Sequence, residues 1–314
     1  MTEQKLYSPL KIGLLIVVIS YFLFTLHALF TLQWIGEWNY LTGSFSFTIF
    51  VEDVSATIGL VFRFAASIIA LAAIIFYFAK KNLSKPAAYK VLRVILVFEA
   101  IYWLGLLTTG IMSVRGLVLM GLGNLPIISL LSSLTLSVIP SLVESIVLPI
   151  ALFIFASKLN PNKPVKKTIK WGLITGTIYI IVFWLTNTSM WVATVMQKGT
   201  GYLTSYPENL LSFILTTIGL LALAIYTAYF AKKSSRAEAL QELKLKNLGA
   251  IITALGMYFL WNYLTWIFFG GNYLWSVWYA WFLGHNMDLW MLSLPLLGLP
   301  LLFTNRLSKE NNSK

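Results

Sequence analysis

Apolar positions in this chain of 314 residues do not alternate with polar ones but gather into long runs separated by short polar segments. A bilayer core about 30 Å thick is crossed by about 20 apolar residues in helical form. Eight runs reach that length. They cover residues 10–32, 54–79, 91–113 and 136–157, then 171–194, 209–231, 247–269 and 287–304. Backbone inside hydrocarbon must satisfy its own donors and acceptors, so the pattern predicts an all-α, multi-pass membrane protein of about eight transmembrane helices. The first run is too long for a signal-peptide core and lacks a small-residue cleavage site, so it is expected to remain as the first span. A further apolar stretch, 116–135, is interrupted by Gly121, Gly123, Asn124 and Pro126. Making it a span would export the Lys158–Lys170 cluster, so it is expected to lie at the outer surface as an interfacial or re-entrant element.

Charge sets the orientation. The formal net charge is +12, which in a soluble protein would suggest nucleic acid. Here 20 of the 23 basic residues fall at the N-terminus, at the C-terminus or in the segments that follow the even-numbered spans. Arg115 and Lys198 lie on the other side and Arg63 lies within a span. That asymmetry predicts a cytoplasmic N-terminus and a cytoplasmic C-terminus, and it removes nucleic acid as a partner. The expected setting is the cell membrane.

Two halves, 1–157 and 158–314, repeat the same four-helix rhythm, and Tyr-Phe-Ala-Lys-Lys occurs at 77–81 and again at 229–233. A duplication would make them parallel repeats, because each half holds an even number of spans. The competing reading is convergence, since any outgoing helix favours a belt aromatic followed by lysines.

Composition closes several routes. Hydrophobic residues make up 58% of the chain and charged ones 11%, against about 25% charged in ordinary soluble domains. There are no cysteines, which excludes disulfides, thiolate metal sites, iron–sulfur ligation and cysteine nucleophiles. No phosphate-binding loop, dinucleotide fingerprint, zinc-protease helix or potassium filter motif occurs.

Charges in hydrocarbon are costly and mark function by default, which brings Arg63, Glu99 and Glu144 forward. Arg63 in the second span and Glu99 in the third are separated by a vertical gap that a long Arg side chain can bridge. One reading is a structural ion pair; the other gives Glu99 a proton or ligand role. Glu144 shares its span with Pro140 and Pro149, whose missing donors disturb the helix and open room for a polar neighbour. It is placed either to exchange protons or to serve as a protonated acid bonded across helices. Its rough counterpart in the second half is Asp288. The two histidines, His27 and His285, allow one haem at most as axial ligands. Two histidines without diagnostic spacing are more simply hydrogen-bonding or interfacial residues. The outer side gathers Glu37, Glu52, Asp53, Glu208 and Asp288 with two aromatic stretches, the second including Trp275, Trp278 and Trp281. This is an interfacial belt or, more sharply, a docking surface or a slot for a quinone ring.

The Ile/Leu-rich spans, the absence of Cys and the Trp-rich run ending Trp-Phe-Leu-Gly-His-Asn-Met-Asp-Leu-Trp at 281–290 resemble the hydrophobic B subunits of archaeal cytochrome b558/566. The resemblance extends over the whole chain in size and hydropathy. It implies a membrane subunit of a respiratory electron-transfer complex, without enzymatic activity alone, beside a larger haem-bearing subunit on the outer face. It also implies that haem b resides on that partner, that this chain holds no cofactor of its own, and that a quinol pool is nearby. In that setting Glu99 or Glu144 would accept a proton and His27 would hydrogen-bond a quinone oxygen. The alternative from the residues alone is a small proton-coupled secondary transporter or permease, suggested by the two halves and by Arg63, Glu99 and Glu144.

Overall fold

Long apolar runs close their backbone hydrogen bonds on themselves, and the described parts of these runs are helical. In the computed structural model the described residues are 8–31, 47–80, 84–108, 110–111, 114–115, 134, 138–163, 165–204, 207–233, 246–258, 260, 294–295, 297–299 and 301–302. Among them all regular structure is helical. The elements are α1 (Ser8–Thr31), α2 (Phe47–Lys80), α3 (Lys85–Gly105), α4 (Ile139–Lys158), α5 (Val165–Lys198), the short α6 (Gly201–Thr204), α7 (Pro207–Ile214) and α8 (Leu220–Lys233). Residues 246–258 are also helical. Three described helices are long and apolar enough to cross a membrane: Val54–Ala79 within α2, Ile139–Lys158, and Lys167–Lys198 within α5. A shorter apolar helix covers Gly13–Leu23. The interrupted stretch 116–135 lies outside the described residues except at position 134.

Helix limits have local causes. Pro86 and Pro140 each sit in a first turn, where a missing N–H costs nothing. α4 gives way at Leu159 to a turn in which Asn160 accepts twice, at its side chain from Asn162 N (2.9 Å) and at its carbonyl from Lys163 N (3.1 Å). Pro161 supplies the backbone angle that a turn of this kind needs at its second position. α5 stops where Gly199 adopts φ 79°, with its N–H on Val195 O at 2.8 Å. That left-handed conformation is the usual glycine stop.

The helices are inside-out by the standard of water-soluble proteins. On α2 the buried positions include Leu60, Arg63, Ala66, Ser67 and Ile74, while Ile58, Val61, Ile68 and Ile75 are exposed. On α4, Ser145 and the ring of Pro149 are buried while Ile146, Ile150, Phe153 and Ile154 are exposed. A stripe of large apolar side chains facing outward, with polar groups turned inward, is what a lipid solvent rewards.

The chain forms two compact units. The smaller comprises Met1–Ala28, Ser67–Ser84 and Tyr229–Lys314; the larger comprises Leu29–Ala66 and Lys85–Ala228. In the smaller unit the Thr25 hydroxyl donates to Ser67 Oγ at 2.8 Å, with both residues buried. There, too, a Cβ added at Gly256 would run into the ring of Pro295, and one at Gly249 would lie 2.8 Å from Gly298 O. The two backbones therefore touch, as small residues permit in membrane helices. In the larger unit α3 packs on α4 and α4 on α5.

Candidate functional site

The strongest concentration of chemistry lies in the larger unit, where α2 and α3 run antiparallel. Their approach is set by two glycines. A Cβ on Gly59 would lie 3.0 Å from Tyr102 O, and one on Gly105 would lie 2.6 Å from Ser55 O. Ser55 Oγ donates to Gly105 O at 3.0 Å and shares a hydrogen bond with the Thr108 hydroxyl. The pairs 55/105 and 59/102 define a register, and one further turn along it stand Arg63 and Glu99.

Arg63 Nε lies 3.3 Å from Glu99 Oε1, with the side chains 10% and 15% exposed. The contact is a close ion pair without the alignment of a linear hydrogen bond between those two atoms. The guanidinium carbon sits 4.2 Å from the centroid of the Tyr102 ring, so the cation is held by a carboxylate and by an aromatic face. Tyr102 meets Trp103 edge to face at 5.3 Å, and Trp103 meets Tyr179 of α5 edge to face at 6.5 Å. Three helices thus supply a carboxylate, a guanidinium and three aromatic side chains at one level. Such a group can take up or release a proton at Glu99 while Arg63 limits the cost of charge.

Glu144 occupies a different setting on α4. Thr186 Oγ1 of α5 donates to its Oε1 at 2.8 Å, and no basic side chain among the described residues pairs with it. One residue on, Ser145 donates to Ser141 O at 2.6 Å. Pro149 has no N–H to offer the Ser145 carbonyl one turn back, so α4 is polar along the turn that carries Glu144.

A third feature was not expected from the sequence, which reads 209–231 as one uninterrupted span. The helix widens into a π turn over Leu215–Gly219, closed by the Leu220 N–H on Leu215 O. Trp184 Nε1 donates to Thr217 O at 2.8 Å across from α5. The indole supplies a donor to backbone that has left the ordinary α ladder. The only trace in the sequence is the Thr216-Thr217 pair with Gly219, too common a pattern to carry the inference.

The remaining candidates cannot be set beside these sites, since their side chains are not among those described. His27 lies on α1, but its side chain falls outside the described residues, as do His285, Trp275, Trp278, Trp281 and Asp288. Tyr102, Trp103, Tyr179 and Thr186 were not singled out by the sequence. The local signal that was available is the Ser55–Gly59 spacing, a small-residue pair four apart that marks a close helix crossing. No family model, curated protein or solved structure matches this chain.

Proposed function

We propose that this chain is a membrane protein of about eight spans with both termini in the cytoplasm, serving as the membrane subunit of a respiratory electron-transfer complex and contacting quinol at Glu99. The observation that carries the quinol contact is the Arg63–Glu99 pair set among Tyr102, Trp103 and Tyr179. Oxidation of a quinol releases two electrons and two protons. A quinol hydroxyl gives one proton to the Glu99 carboxylate, Arg63 holds that carboxylate in place, and the aromatic side chains flank the ring. Glu144 is a further carboxylate in the apolar spans able to take the second proton. The haem b that the resemblance assigns to a larger outer subunit would accept the two electrons one at a time, being reoxidised between transfers by its own electron acceptor. The two-half organisation, divided at 157/158, belongs to the same proposal, as do the outer aromatic and acidic residues Trp275, Trp278, Trp281 and Asp288 as the face toward that partner.

The test is tagged purification from native membranes in mild detergent, with identification of co-purifying chains, a reduced-minus-oxidised visible spectrum and quinol-oxidation kinetics. A b-type spectrum with a larger partner is expected. In that complex Arg63→Gln/Glu99→Gln, which removes the carboxylate without stranding a buried charge, should slow quinol oxidation about a hundredfold, the scale of a lost acid–base group, while assembly persists. Unchanged kinetics in that double variant, in Glu144→Gln and in His27→Ala would remove the quinol site.

A second reading is favoured by one specific observation, the π turn at Leu215–Gly219. Interrupted spans are the usual mark of a transporter's substrate site, and Glu144, which has no basic partner among the described residues, suits a proton-coupled permease. Proton-driven uptake by sealed vesicles, with a colourless and solitary purified protein, would select it.

A further inference from the structure

At one end of the larger unit, two basic segments that are remote in sequence are locked together. Arg93 Nη2 donates to Leu159 O, Lys85 Nζ donates to Lys163 O at 3.3 Å, and the Tyr89 and Thr168 hydroxyls hydrogen-bond at 2.8 Å. These contacts fasten the first turns of α3 to the Asn160–Lys163 turn and to the start of α5. They bring Lys90, Arg93, Lys163, Lys167 and Lys170 to the same end of the unit, and all but the half-buried Lys170 are exposed. Neither contributing segment, 84–98 or 145–207, contains an Asp or Glu.

The preference of membrane proteins for basic residues on one side accounts for the sign of these charges. It does not account for two such segments being fastened at one end of the unit with no carboxylate contributed by either, where like charges repel. A bound anion would relieve that repulsion, and the level at which it would sit is indicated by Trp171. Its ring lies 5.5 Å from Lys158 Nζ, and an indole beside a lysine at the end of an apolar helix is an interfacial marker. At that level the abundant anion is the lipid headgroup. We infer that this end of the larger unit binds the phosphate headgroup of an anionic membrane lipid through Lys90, Arg93, Lys163, Lys167 and Lys170. The guanidinium of Arg93 has further N–H donors beyond the one on Leu159 O, and the lysines supply mobile point charges. The inference requires only that the chain resides in a membrane and is independent of the redox or transport reading.

The experiment uses the full-length protein reconstituted into nanodiscs of phosphatidylcholine containing phosphatidylglycerol, then stripped in detergent. Retained lipid is identified by native mass spectrometry. Phosphatidylglycerol should be retained in preference to phosphatidylcholine and should fall by about fivefold or more in Lys90→Gln/Lys163→Gln/Lys167→Gln/Lys170→Gln, since each basic residue near the surface contributes separately. The corresponding four-arginine variant should retain it. Because the chain has no cysteine, Asn162→Cys labelling from either side checks that each variant has inserted like the parent. Should the glutamine variant insert differently, salt on the parent decides: retention should fall severalfold at about 1 M NaCl, where the screening length is about 3 Å. Equal retention of both lipids, retention indifferent to the four substitutions or to salt, or displacement of the lipid by millimolar inorganic phosphate would overturn the inference, the last by assigning the site to free phosphate.

Discussion

Arg63 and Glu99 show how a single contact is weighed in a low-dielectric interior. Removing both charges from water is costly, and their attraction repays it only in good geometry, so the pair adds little net stability relative to an apolar pair of similar volume. Losing one partner is different, because it strands the other. Arg63→Met should therefore destabilise the protein by about 3 kcal/mol or more, whereas Arg63→Met/Glu99→Leu should recover most of that loss. A double-mutant cycle on thermal unfolding in detergent reads the difference, and additive losses would contradict it. Glu144 responds otherwise. The amide oxygen of Glu144→Gln can still accept from Thr186 Oγ1, so that variant should stay folded while losing any proton exchange. Thr186→Val should cost about 1 kcal/mol, the usual worth of a hydrogen bond between membrane helices. Arg63, Glu99 and Glu144 stand out in the sequence because charge in an apolar run is rare. Tyr102, Trp103, Tyr179 and Thr186 do not, because Tyr, Trp and Thr are ordinary in membrane helices and only the rotation of each helix decides which of them faces a charge.

Elements explain why those residues meet. The α2–α3 crossing depends on Gly59 and Gly105, and a methyl group at Gly105 would stand 2.6 Å from the Ser55 carbonyl. That neighbour is backbone and cannot rotate away, so the helices must separate. Gly105→Ala should cost about 1–3 kcal/mol, the range for overpacking a close contact, and it should weaken the Arg63–Glu99 pair two register steps further on. A melting temperature like that of the parent would show that the crossing is looser than described. The π turn of Leu215–Gly219 gives a second element-scale test. A π turn carries one residue more than the α ladder accommodates, so deleting Thr216 should restore regular helix and remove the Thr217 carbonyl from Trp184. Retained fold with lost function is the outcome expected if the turn serves a site, and unchanged function would make it a packing adjustment. Helix existence was legible because apolar runs and Pro, Gly and Asn signals are local. The π turn was not, because a one-residue register change leaves no periodic trace in a helix that is apolar on nearly every side.

For the whole molecule the central expectation is orientation. With no native cysteine in the way, Asn162→Cys should react with an impermeant thiol reagent only from the cytoplasmic side and Thr200→Cys only from the outside. Reaction of both from one side would break the assignment of α5 as a span. The sequence by itself determines the class of fold, helices long and apolar enough to cross a membrane. Long apolar runs and few charges are sums over many residues, so they do not depend on any single contact. Tertiary structure decides which of the isolated polar groups belong together. That decision rests on helix separation, rotation and register, which are fixed by close approaches such as Gly59 to Tyr102 and by side-chain bonds such as Thr186 to Glu144. Those are relations between residues far apart in the chain, and hydropathy carries no record of them.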